Sequence, residues 1–276
     1  LDSLTAPSAS PTMVKAGIYL LARLQPELGG TAMWMTLLSV VGATTMLTGA
    51  FLAIHHTNIK KLLAYSTISQ MAYVSLAVTL LDPTALAGAL AHITHHAFFK
   101  GGLFFCAGSI LALTGLRKIS RMRGLGRRMP WTAGTLTLLA LAMMGIPPLS
   151  GFVGKWTLGS GMAQAGGFGH LAVILLGSLL AAVYLWPVIY RIWQRPEDGD
   201  PMQDGPSADV GRERRRWMLF AVLAAAASSS AGASEVGGSI GGWGEPSDVI
   251  GLIVDIYGQG FSIQALQDPT FCQVPP

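Results

Sequence analysis

The sequence predicts an all-α, polytopic transmembrane helix bundle containing one broken helix, and three observations predict it. Of the 276 residues, 51% are hydrophobic and 12% charged, with a positive mean hydropathy, whereas ordinary soluble domains devote about a quarter of their residues to charge. Apolar runs of about 20 residues, long enough to cross a ~30 Å hydrocarbon core as helix, recur along the chain. They are continuous rather than alternating, which disfavours a closed β-barrel. The third observation is the placement of Lys and Arg, which cluster in alternate loops.

Six crossings follow in order: 11–26, 33–54, 61–81, 84–116, 131–163 and 168–192. The first, PTMVKAGIYLLAR, is short and amphipathic, with Arg23 placed to snorkel at its end. The loops after the second, fourth and sixth crossings carry Lys60 and Lys61, then Arg117, Lys118, Arg121, Arg123, Arg127 and Arg128, then Arg191 and Arg195. The loops between them, LLDPTA and AQAGGFG, carry none, so the basic loops are assigned to the cytoplasm of a bacterial inner membrane. The segment 131–163 is long enough for two tight spans hinged at GIPPLSG, but two spans would put Arg191 and Arg195 outside. It is therefore expected as a single helix broken between Gly145 and Gly151, where Pro147 and Pro148 supply no backbone donors. In lipid such a break persists only where protein buries it or where it lines a wet cavity, and at midplane it points to an ion path.

The expected domains are a bundle over 1–195, a Pro-, Gly- and charge-rich linker over 196–216, and a tail over 217–276. Within the tail, WMLFAVLAAAA gives a marginal seventh span, and the residues after it are assigned no role. The opening LDSLTAPSAS has no basic n-region, so no signal peptide is expected there, and the chain, which starts without Met, reads as a piece of a longer one. A net charge of +4 suggests nucleic acid only in a soluble protein; here it orients spans, and no nucleic-acid partner is expected. Cys106 and Cys272 make neither a disulfide framework nor a CxxC site.

Within the spans the ionisable residues are Lys15, His92, His95, His96, Lys100 and Lys155, and no Asp or Glu accompanies them. Each costs at least ~2.5 kcal/mol if charged at the centre of a lipid-facing helix, so all are expected to face protein or water. His92, His96 and Lys100 recur every fourth residue and line one helix face over about 12 Å at 1.5 Å per residue, with His95 beside them. Imidazole takes a proton on one nitrogen and gives it from the other, which suits a relay. The structural alternative, histidines that cross-link helices, accounts for one such residue better than for three and a lysine on one stripe. Gly101 and Gly102 then loosen the helix or admit a close neighbour. Lys15 and Lys155 have plainer readings as snorkelling or interfacial anchors, the latter beside Trp156. Lys155 follows the helix break, however, and Lys15 has apolar neighbours on both sides. His55, His56 and His170 read as surface groups near span ends, and Met and aromatic residues as ordinary packing. Haem or metal ligation is disfavoured because the midspan histidines share one helix and Lys100 repels a cation.

Four stretches in order, PTMVKAGIYLLARL, IKKLLAYSTISQMAYV, HITHHAFFKGGLFF and GIPPLSGFVGKW, resemble the antiporter-like proton-conducting membrane subunits, from about Ala6 to Arg195. That family includes the large subunits of Mrp-type cation/proton antiporters, their homologues in respiratory NADH–quinone oxidoreductase (complex I), and membrane subunits of energy-converting hydrogenases. The resemblance implies the C-terminal half of a bundle of about fourteen helices built from two inverted repeats, each with one broken helix. It also implies a midplane proton relay through Lys15, His92, His96, Lys100 and Lys155, whereas His95 stands where the family pattern more often has Thr.

Proton translocation within a complex of other membrane subunits is thus the expected function, with protons, and in the antiport branch sodium, as the ions. Missing carboxylates tilt slightly toward protons alone. The alternative is a structural half-subunit that scaffolds its partners without conducting. No motif binds nicotinamide, flavin, quinone or an iron–sulfur cluster, so no cofactor and no catalytic residue is assigned to this chain, and any redox chemistry belongs to its partners.

Overall fold

Apolar runs become helices here because, away from water, only a helix satisfies every backbone N–H and C=O within its own segment. The structure, a computed structural model, describes residues 31–195 apart from 81 and 148, together with Gly17, Ile18, Leu20, Leu21, Leu24 and Leu28, which are all helical. The described chain folds as α1 (Ala32–His55), α2 (Ile59–Val78), α3 (Pro83–Thr114), the single turn α4 (Leu125–Arg128), α5 (Pro130–Met144), α6 (Ser150–Gln164) and α7 (Phe168–Trp193). No strand occurs among the described residues, in keeping with the all-α expectation. The expected linker and tail, 196–276, lie outside the described residues.

Polar residues at the helix ends explain where several helices start. The Asn58 side chain accepts a hydrogen bond from the Lys60 N–H at the start of α2, and Asp82 accepts one at 2.8 Å from the Ala85 N–H at the start of α3, with Pro83 as first helical residue. Helix α3 ends at Gly115, whose φ of 68° is left-handed. On α1, which exposes Met33, Leu37, Val40, Val41 and Phe51, the exposed residues Thr36, Thr44 and Thr48 each donate to the carbonyl four residues back, at 2.7–2.8 Å.

Small residues then set how closely the helices cross. Helices α3 and α6 run antiparallel in near backbone contact. A Cβ on Gly88 would collide with the Leu158 backbone and one on Gly161 with that of Ala85, while one on Gly154 would stand 3.3 Å from the His92 backbone and from His95 Nδ1. Gly49 likewise lets α1 lie on the Ser69 backbone of α2, and Gly102 makes room for Leu139 of α5. Helix α2 sits centrally, flanked by α1, α3 and α7, while α3 also packs on α5 and α6.

The segment expected as one broken helix is two half-helices joined over residues 145–149. Gly145 ends α5 at φ 87°, donating to Leu141 and Ala142 carbonyls, and the Ile146 N–H also bonds back to Leu141. Helix α6 restarts at Ser150, one residue before the expected end of the break, and Gly151 lies against the Ala142 carbonyl with no room for a side chain. Pro147 lies in the break; Pro148 lies outside the described residues.

Candidate functional site: a lysine–histidine–tyrosine line

Lys155 follows the break by little more than one helical turn, which aims its side chain back at the open end of α5. Its Nζ donates to the carbonyls of Met143 (2.9 Å) and Met144 (3.2 Å). The last turn of any helix leaves four carbonyls without intrahelical partners. Here Leu141 and Ala142 are taken by the backbone of the turn, and Met143 and Met144 by the lysine. A cation at a helix C-terminus also meets the negative end of the dipole, worth about 0.3–2 kcal/mol.

Lys100, 1% exposed, is likewise held by neutral oxygens. Its Nζ donates to the Leu63 carbonyl at 2.8 Å and to the Ser66 hydroxyl, both on α2. Asp82 is the single Asp or Glu from Thr31 to Arg195, and it is occupied capping α3. Among the described residues, therefore, both buried ammonium groups are solvated by neutral oxygens, as the sequence requires.

The rings of α3 and α2 fill the space between. His92 and His96 are fully buried with ring centroids 6.0 Å apart, and His96 meets Phe99 edge-on at 5.3 Å, one residue before Lys100. At the other end Tyr73 stacks on His92, with centroids 5.5 Å apart and planes inclined by 18°. The same tyrosine ring lies 5.3 Å from Lys155 Nζ. His96, His92, Tyr73 and Lys155 thus form a continuous run of contacts, with Lys100 four residues beyond His96 on the same helix, and His95, 6% exposed, borders it at Gly154. Lys15 lies outside the described residues.

Sequence reasoning misses Tyr73, which reads there as ordinary aromatic packing. It is fully buried, and its hydroxyl reaches Ser178 Oγ on α7 at 3.4 Å. Sequence reasoning also misplaces His170 as a surface group: the ring is half-buried and bonded to both Ser39 and Thr79. His55 is exposed as expected, and His56, partly buried, stacks on Tyr65 with centroids 4.7 Å apart.

Residues 5–181 match the family described as NADH:quinone oxidoreductase/Mrp antiporter, transmembrane region. The chain belongs to this family. It is 38% identical over 193 residues to the NADH-quinone oxidoreductase subunit N of Desulforudis audaxviator, covering 68% of this chain and 38% of that protein. It is 44% identical over 146 residues to a probable K(+)/H(+) antiporter subunit of Rhizobium meliloti, covering 53% of this chain and 15% of that one. Respiratory complex I from Thermus thermophilus with bound NADH contains a similar chain, at 31% identity and a TM-score of 0.66 over 76% of this chain and 44% of that one. The chain thus spans less than half the length of these relatives. Family membership makes it an integral membrane chain with the antiporter-like fold.

Proposed function

We propose that this chain translocates protons across a bacterial inner membrane as all or part of one subunit in a multi-subunit complex, either NADH–quinone oxidoreductase-like or a Mrp-type cation/proton antiporter. The observation that carries the reading is the line across the bundle: two buried lysines bonded to neutral oxygens, with His96, His92 and Tyr73 between them. An isolated buried cation is costly enough that it is kept for a function by default. The fully buried Gln70 lies along the same line, its side chain hydrogen-bonding toward Tyr73 and Tyr184 and its backbone toward His92.

Protons pass laterally between Lys100 and Lys155 through the imidazoles, with Lys15 as a further relay group and His95 as a flanking one. Lys155, bonded to the last carbonyls of α5 beside the Gly145–Gly151 break, passes protons toward one aqueous side. Partner subunits supply the driving reaction, and the basic loops face the cytoplasm. Sodium is the coupled ion if the complex is an antiporter.

The test is proton uptake by inverted membrane vesicles containing the full assembly, comparing wild type with Lys155→Met at matched protein level and matched drive. Pumping should fall while assembly is retained. Unchanged uptake would show the segment to be scaffold.

A further inference from the structure

His170 stands on the first turn of α7, and nothing in the lysine–histidine line uses it. Its Nε2 lies 2.8 Å from Ser39 Oγ on α1 and 3.3 Å from Thr79 Oγ1 at the end of α2. The hydroxyl protons decide the roles. Ser39 donates its proton to the Met35 carbonyl and Thr79 donates its own to the Leu76 carbonyl, each at 2.7 Å. A hydroxyl has one proton to give, so both oxygens turn lone pairs toward His170. With both hydroxyl protons on those carbonyls, the neutral ring that suits the site is the tautomer with its hydrogen on Nε2, shared between the two oxygens, and Nδ1 as the basic nitrogen.

A seam between α2 and α7 connects this ring to the proposed relay. Tyr73, which touches both His92 and Lys155, sends its hydroxyl to Ser178 on α7, and Thr79 and His170 face each other farther along the same antiparallel pair. The interval is closely packed: Ile174 and Met46 are buried there, and the missing side chain of Gly177 leaves its space to Met46 Sδ and the Tyr73 hydroxyl. Methionine, unbranched and flexible, is the side chain in this interval best able to move aside. Of the other titratable groups on the elements around His170, Asp82 follows Thr79 by three residues and caps α3, Tyr73 is six residues back from Thr79, with Lys60, Lys61 and Tyr65 farther along α2, Lys155 is bonded at the break, His55 is at the far end of α1, and Tyr184, Tyr190 and Arg191 are fourteen or more residues along α7.

We propose that His170 is the last protein group on the outward proton path, reached along the α2–α7 seam when Met46 swings aside, and resting on the translocation reading above. The Lys155 ammonium gives up one N–H proton and becomes the neutral amine; water admitted to the seam when Met46 swings aside carries that proton to Nδ1, where it forms an N–H bond while the Nε2–H stays on Ser39 and Thr79. Breaking that Nδ1–H bond passes the proton to outer water and restores the neutral ring.

The experiment uses the full assembly in inverted vesicles, where the outer side faces the lumen, with initial pumping rate measured at lumenal pH from about 5.5 to 8 around the imidazole range. Wild type should show an inflection in that range. His170→Gln, which can still hydrogen-bond but cannot titrate, should lose the inflection and slow pumping roughly tenfold. Should His170→Gln fail to assemble, Thr79→Val decides: losing an oxygen that stabilises the charged ring should move the inflection to lower pH. If His170→Gln, or in its absence Thr79→Val, leaves rate and profile unchanged while Lys155→Met abolishes pumping, His170 is only a clasp between three helices and the proposal is overturned. If Lys155→Met pumps normally, the translocation reading fails and this proposal falls with it.

Discussion

The Lys155 ammonium lies 5.3 Å from the centre of the Tyr73 ring, whose opposite relationship is a stacking contact with His92. A cation held near an aromatic face gains about 0.5–2 kcal/mol, according to how dry the site is. Tyr73→Phe keeps the ring and both contacts but removes the link to Ser178; Tyr73→Leu removes all three. Proton uptake in the assembled complex should be lower in Tyr73→Leu than in Tyr73→Phe by a few-fold to about thirtyfold, the range that this interaction spans.

Lys155→Arg separates charge from titration. An arginine retains a positive group able to reach the carbonyls of Met143 and Met144, yet it stays protonated at any working pH. Assembly should survive better than in Lys155→Met, whereas uptake should be lost in both. Uptake in Lys155→Arg at the wild-type level would mean that the residue only pins the broken helix.

The crossing of α3 and α6 depends on glycine. Gly161→Val drives a branched side chain into the Ala85 backbone, and overpacking of this kind costs about 1–3 kcal/mol. Thermal unfolding in detergent should begin several degrees lower, with less assembled complex. Gly108→Ala, in the same α3 helix but with nothing near its Cβ position, should be neutral or stabilising by up to about 1 kcal/mol.

Asp82 is spent on the start of α3. Asp82→Ala frees the Ala85 N–H and should cost about 0.5–2 kcal/mol, read as a lowered unfolding temperature, with uptake per assembled complex unchanged.

Those features readable in the sequence are local ones. Continuous apolar runs give helices because lipid permits little else, and the Gly145–Pro147 break announces itself because both residues act within one turn. The four-residue spacing of His92, His96 and Lys100 is likewise a property of a single helix. The hidden features depend on chain segments far apart meeting. Tyr73 is an ordinary aromatic until α7 brings Ser178, 105 residues later, to its hydroxyl. His170 reads as a span-end residue until Ser39 and Thr79, 131 and 91 residues away, converge on its ring. The one available signal is a negative one: with Asp82 the only acid between Thr31 and Arg195, both buried lysines have to be solvated by neutral oxygens, which α2 supplies to Lys100 and the broken end of α5 supplies to Lys155.

The back-bonded threonines of α1 carry a last implication. Thr36, Thr44 and Thr48 stand on the outer wall among valines and leucines, where a free hydroxyl would want water. Each has given its hydrogen to its own helix and leaves a methyl group pointing away from it. To an oily neighbour the wall therefore feels closer to valine than its spelling suggests, and a scale that scores threonine by its formula will underrate how comfortably this helix sits in fat.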